Sequence, residues 1–223
     1  MKTIFGNYDP VDMSATWPHQ LLADCGVGDY GAKPLLARPR LFQRVQEDNG
    51  AKAYLLTEAS PDDPHWGAHP EAPLVSVAVF SWNGSGWHVE AENMSLGCIG
   101  TFGGLAPFSF VQWAENRHGI LFSAGFTNMG VTESSTLLFG PVGSTVAEIA
   151  SIAVTGYDDC LDEQTSCRKK ESTVKFSPSP GSPYYELRVE TQETIGTAEP
   201  RLTEQTFRFN GRAYTLDSPG DSR

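Results

Sequence analysis

Val75 to Glu90 reads VSVAVFSWNGSGWHVE. Side chains alternate along a strand, so Val75, Val77 and Val79 take one face and Ala78, Phe80 and Trp82 the other. Both faces are apolar, which predicts a strand buried on both sides. Asn83-Gly84 then supplies the φ > 0 backbone that a tight hairpin turn requires, and the chain returns from Trp87. The pattern recurs late in the chain. Phe80-Ser81-Trp82-Asn83-Gly84-Ser85-Gly86-Trp87 matches Phe207-Arg208-Phe209-Asn210-Gly211-Arg212-Ala213-Tyr214. An element used twice reads as an architectural turn whose aromatics seal a core, so function is expected elsewhere.

Outward from this hairpin the chain keeps the same character. LFQRVQ and KAYLLTE flank Asn49-Gly50, and FSFVQW and ILFSAGF flank Glu115 to Gly119, two more hairpins. Gly125, Asn128 and Gly130 are read as breaks before Thr136–Phe139. Ser144 to Val154 leans to strand on its β-branched content. In YYELRVETQET, Tyr185, Leu187 and Val189 alternate with Glu186, Arg188 and Glu190, giving one wet face. Residues 1–36 are irregular, with a short helix expected around Ala15–Asp24, and pack on a single antiparallel β domain over 37–223. With roughly ten or eleven short strands, the fold expected is all-β, an incomplete β-propeller-like stack or a two-sheet sandwich.

Hydrophobic residues make up 39% of the 223, enough for a sizeable core. No run reaches the length of a membrane helix. No apolar stretch follows Met1-Lys2-Thr3-Ile4-Phe5, which fits a cytosolic chain or an exported one whose leader is removed. The four cysteines favour export. Cys160 and Cys167 bracket six residues, suiting a small disulfide-closed loop, and Cys25 with Cys98 would tie the N-terminal segment to the sheet. Four cysteines allow three pairings, so this choice is a preference.

The net charge of −11 sits in the middle of the chain. From Ala53 to Cys167, Arg117 is the one Lys or Arg against thirteen acids. Such a field repels nucleic acid and attracts a basic partner. Two acidic stretches combine carboxylates with an aromatic: Tyr157, Asp158, Asp159, Asp162 and Glu163, and Asp62 and Asp63 with Trp66. Aromatic anchors inside a polar rim are the common pattern of a protein interface, so these residues are the expected partner contacts.

Catalytic and cofactor signatures are weak. His65 and His69 are spaced for a metal only on a helix, and prolines flank them. Asp158 to Glu163 lacks the order of a calcium loop. Gly84-Ser85-Gly86 is a turn and no nucleophile elbow. The Gly100–Gly104 bend has no Lys and no following helix to hold phosphate. No enzyme activity, metal or cofactor is expected.

Tyr184-Tyr185-Glu186-Leu187 in a long strand, followed by Phe207 to Tyr214, resembles uncharacterised exported β proteins of Gram-negative bacteria. The pattern spans roughly 75 to 223. Several such proteins are immunity proteins against toxins of the type VI secretion system or periplasmic inhibitors of cell-wall hydrolases. The resemblance implies a periplasmic or secreted inhibitor whose partner is a basic toxin or hydrolase, with no membrane span. It carries no catalytic residues. Two alternatives remain open: a secreted hydrolase or carbohydrate-binding module with a groove lined by Trp82, Trp87 and Trp113, and a structural envelope protein.

Overall fold

A computed structural model describes residues 4–17, 34–160 and 167–217. Among them the fold is all-β, built from antiparallel hairpins, with no helix. The chain forms two compact units, Met1–Pro107 with Pro141–Ala147, and Phe108–Gly140 with Glu148–Arg223.

The first unit is a meander. β1 (Ala15–Trp17), β2 (Leu35–Glu47), β3 (Gly50–Pro61), β4 (Leu74–Trp82) and β5 (Trp87–Cys98) pair in sequence order, each antiparallel to the last. Residues 141–147 add to the far side of β5, where Thr145 pairs with Glu92 in parallel and Asn93 Nδ2 donates to Val146 O at 3.1 Å. β6 (Gly100–Thr101) and β7 (Gly104–Leu105) form a separate ribbon.

β4 is buried on both faces from Leu74 to Phe80, as its double apolar pattern predicts. Ala53, Leu55, Ala78 and Phe80 form one cluster, and Leu35, Ala37, Ala59 and Leu74 join Phe5 and Trp17 in another. Each buried Leu, Val or Phe contributes about 1.5–3 kcal/mol over its exposed state. Ala15–Trp17, where a short helix was expected, is instead a strand. Trp17 pairs with Leu35 and Ala15 with Ala37, and both side chains enter the Phe5 cluster, so tertiary burial overrides a weak local preference. The rest of that expected helix, 18–24, lies outside the described residues.

The second unit is a longer meander, built from the strands that follow apart from their residues 141–147. β8 (Phe108–Ala114), β9 (Arg117–Asn128), β10 (Val131–Val142), β11 (Thr145–Asp158), β12 (Arg168–Ser177), β13 (Glu186–Ile195), β14 (Arg201–Phe209) and β15 (Tyr214–Leu216) each pair with the next. The end of β8 also bonds the lead-in to β13: Tyr185 N donates to Trp113 O at 3.1 Å and Glu115 N to Pro183 O at 2.7 Å. Around this contact lie Trp113, Tyr184, Phe209 and Tyr214. Ring centroids are 4.5 Å apart for Tyr184–Phe209 and 5.2 Å for Trp113–Phe209.

Gly125 is no break. It sits inside β9, where a Cβ would come within 2.8 Å of the Ser134 side chain and closer still to a Glu133 oxygen, so glycine permits a tight cross-strand approach. Val154 holds φ 54° within β11, a left-handed backbone that a β-branched residue rarely adopts.

Candidate functional site

The β11–β12 hairpin ends in the acidic loop. Gly156, Tyr157 and Asp158 pair with Glu171, Lys170 and Lys169, and the Cys160–Cys167 disulfide then closes the connection with the two Cα atoms 4.9 Å apart. The carboxylates beside it cap backbone. Asp158 Oδ1 accepts the Cys160 N–H at 2.9 Å and Asp159 Oδ1 accepts the Arg168 N–H. Tyr157 Oη donates to Asp159 Oδ2 at 3.1 Å, and the Arg168 guanidinium lies over the Tyr157 ring, 5.4 Å from its centroid. Arg168 in turn is ion-paired with Glu193. Tyr157, Asp158 and Asp159 are thus drawn together on one stapled hairpin end and stay half-exposed. Asp162 and Glu163 lie outside the described residues.

Asp159, Cys160 and Cys167 place ligand-type atoms within 4.8 Å of one another, the one such group among the described residues. Both sulfurs are in the disulfide, so neither is a thiolate, and the group offers a cation one carboxylate. Cys98 is also disulfide-bonded. Cys25, its expected partner, lies outside the described residues.

The second acidic stretch belongs to the first unit and is used differently. Asp62 is exposed, while Asp63 Oδ1 accepts the His65 N–H at 2.8 Å in a turn. Trp66 is packed inward: its Nε1 donates to Gly103 O at 3.2 Å, and a Cβ on Gly103 would meet the indole at 2.9 Å. The glycine-rich bend is therefore a seat for this tryptophan. Glu71 Oε2 accepts the Gly67 and Ala68 N–H groups at 2.5 and 2.6 Å, which fixes the loop from within. The His69 ring stacks edge-on against Phe102 at 4.6 Å.

The repeated turns are the same object. Asn83 Oδ1 accepts from Ser85 N and Gly86 N, and Asn210 Oδ1 accepts from Arg212 N and Ala213 N, all at 2.9–3.0 Å. Gly84 and Gly211 hold φ 91° and 97°. Their aromatics diverge. Phe209 and Tyr214 enter the core around the fully buried Trp113, which cannot line a groove, whereas Trp82 is 43% exposed and meets Trp87 edge-on at 5.6 Å. Beside that pair the Arg44 guanidinium lies 5.6 Å from the Phe42 and Trp87 rings.

Two of the thirteen mid-chain acids, Glu58 and Glu90, face cations among the described residues. Glu90 is ion-paired with Lys52, which is 3% exposed; burial opposes its ionisation, but the Lys52 and Ser81 hydrogen bonds prevail and hold its carboxyl below the usual range. Burial pushes the Glu58 carboxyl up, only partly offset by Arg40 at 3.6 Å and by Arg38. These pairs join residues far apart in sequence, so no spacing signals them. Arg117 lies over Trp113 and Tyr184, 6.0 and 5.7 Å from their centroids.

Sequence reasoning missed the companions of the acidic loop. Ile195, opposite Arg168, is 56% exposed, and Leu202 on the next strand is 76% exposed. The signal was present as apolar residues inside otherwise polar strand ends. No helix among the described residues is long and apolar enough to cross a membrane. Comparison with known protein families, with curated proteins and with solved structures finds no match.

Proposed function

We propose that this protein is a non-enzymatic binding protein of the periplasm or the cell exterior, an inhibitor or immunity protein that covers a basic toxin or hydrolase surface. The observation that supports it is the stapled end of the β11–β12 hairpin. A disulfide, two carboxylate-to-amide caps and the Arg168–Tyr157 stack hold acids and an aromatic in one geometry before any partner arrives. Preorganisation of this kind lowers the ordering entropy that binding would otherwise cost. The half-exposed carboxylates supply charge for steering a cationic partner. Exposed Ile195 adds an apolar contact on the adjacent strand.

The test uses the product of the neighbouring gene, purified and mixed with the oxidised chain. A complex is expected, weakened about tenfold or more by Asp158→Asn with Asp159→Asn, and weakened by reduction of the disulfide. A complex indifferent to both changes, or none at all, refutes the reading.

A second reading draws on the exposed Trp82 with Trp87, Phe42 and Arg44, an aromatic surface suited to a glycan ring. It predicts glycan binding that Trp82→Ala abolishes, and flat binding across a glycan panel removes it.

A further inference from the structure

β14 presents an unfinished edge. Thr206 O accepts the Asp217 N–H at 2.8 Å, and Asn210 N donates to Ala213 O, so the even-numbered residues of β14 turn their backbone groups toward β15. β15 pairs only with Phe207 to Phe209. By the same alternation the N–H and C=O of Leu202 and Glu204 point outward, with no strand beside them among the described residues, while Thr203 and Gln205 face β13.

The surface next to this edge has a definite charge. Glu171, Glu190 and Glu204, with Thr173 and Gln192, line a concave pocket of about 450 Å³ that Leu202 borders. Glu190 and Glu204 are direct cross-strand partners, a like-charge pairing that weakens a sheet. Lys175 and Lys169 pair with Glu190 and Glu171 at 2.7 and 2.9 Å, but Glu204 has no ion pair among the described residues. An open ladder and an uncompensated carboxylate thus coincide. Native sheets usually blunt such an edge.

We infer that the β14 edge is a docking strand for an extended segment of a partner protein, which adds to the sheet beside Leu202–Glu204 and sets a lysine or arginine against Glu204. Main-chain bonds give this mode its grip, and the acidic pocket with Leu202 sets its preference for an alternating basic and apolar segment. The inference stands apart from the acidic loop, because it uses backbone of β14.

The experiment is residue-resolved amide exchange on the full oxidised chain with a blocked peptide, acetyl-Thr-Val-Lys-Val-Lys-Val-Thr-amide. The amides of Leu202 and Glu204 exchange quickly alone and should slow about tenfold with peptide, while Thr203 and Gln205 change little. The same peptide with Glu in place of Lys should leave them fast. Glu204→Gln should weaken the lysine peptide about fivefold and leave the unfolding midpoint unchanged or raised, since it also removes a repulsion. Asp158→Asn with Asp159→Asn should leave peptide protection intact. Equal protection by both peptides, or none at millimolar peptide, overturns the proposal. So does protection without peptide: if it rises with protein concentration the occupant is a second copy, and if it is lost on truncation after Asp217 the occupant is the chain's own C-terminus.

Discussion

Replacing Tyr214 by Phe removes one oxygen from the centre of the second unit. Tyr214 Oη lies 2.9 Å from both Trp113 O and Tyr185 O, so its single hydrogen serves the end of β8 and the lead-in to β13. Both carbonyls lose the phenol, but Trp113 O keeps the Tyr185 N–H, so the loss falls mainly on the Tyr185 carbonyl. The ring itself, packed on Phe209 and Phe176, is preserved. A lost hydrogen bond with one poorly satisfied carbonyl costs about 1–2 kcal/mol. For a chain of this size that lowers the thermal midpoint by roughly 3–6 °C. Denaturant unfolding at neutral pH measures it directly. Burial also drives the phenol pKa far above its ordinary 10.0, so Tyr214 ionises only once unfolded. Wild-type stability should therefore be held below pH 10 and fall above it, and the variant should fall less steeply there. A loss under about 0.3 kcal/mol would refute the reasoning, as would equal alkaline slopes. The repeated turn gives an internal control: Phe209→Ala should cost about 2–4 kcal/mol and Trp82→Ala under about 1 kcal/mol, since one aromatic is in the core and the other at the surface.

Three further outcomes are expected. Glu90→Gln strands the buried Lys52 ammonium and should cost about 2–3 kcal/mol, discounted for water reaching Glu90, while Lys52→Met with Glu90→Gln should recover most of it in a double-mutant cycle. Because the Glu58 carboxyl is raised, the folded state binds its proton more tightly than the unfolded state, so this group's contribution is best below pH 4.5 and is lost as pH rises through its folded value. Glu58→Gln should then compare more favourably with wild type at pH 7 than at pH 4, read from urea midpoints. Val154→Asn should stabilise by roughly 1 kcal/mol, measured the same way, because Asn tolerates the left-handed backbone that Val154 occupies.

The hairpins were legible because their signals are local. Asn-Gly at Asn83, Asn49 and Asn210 fixed three turns, and alternation in Val75–Trp82 fixed a doubly buried strand. The fate of the aromatics was not, since Trp82 and Phe209 occupy equivalent turn positions and their burial depends on what packs over each. The short Cys160–Cys167 loop followed from spacing, yet its stiffening by Arg168, a cation beyond the acidic stretch, did not. Trp66 reads as an aromatic partner contact beside two acids, and what its position alone does not show is that Gly103, 37 residues later, makes room for its partly buried indole. The pairing of Glu190 with Glu204 depends on register, which two strands of mixed polarity leave undetermined until the turn between them is built.

The detour of residues 141–147 into the first unit has a consequence for synthesis. A ribosome delivers the first 107 residues well before the segment that caps β5. During that interval the far side of β5 near Glu92 and Asn93 lacks its hydrogen-bonding neighbour. Until β10 has emerged and the chain has turned at Gly143–Ser144, the nascent first unit carries a sticky margin open to any other unfinished chain. Cutting the gene at the apparent boundary after Pro107 would make that transient condition permanent.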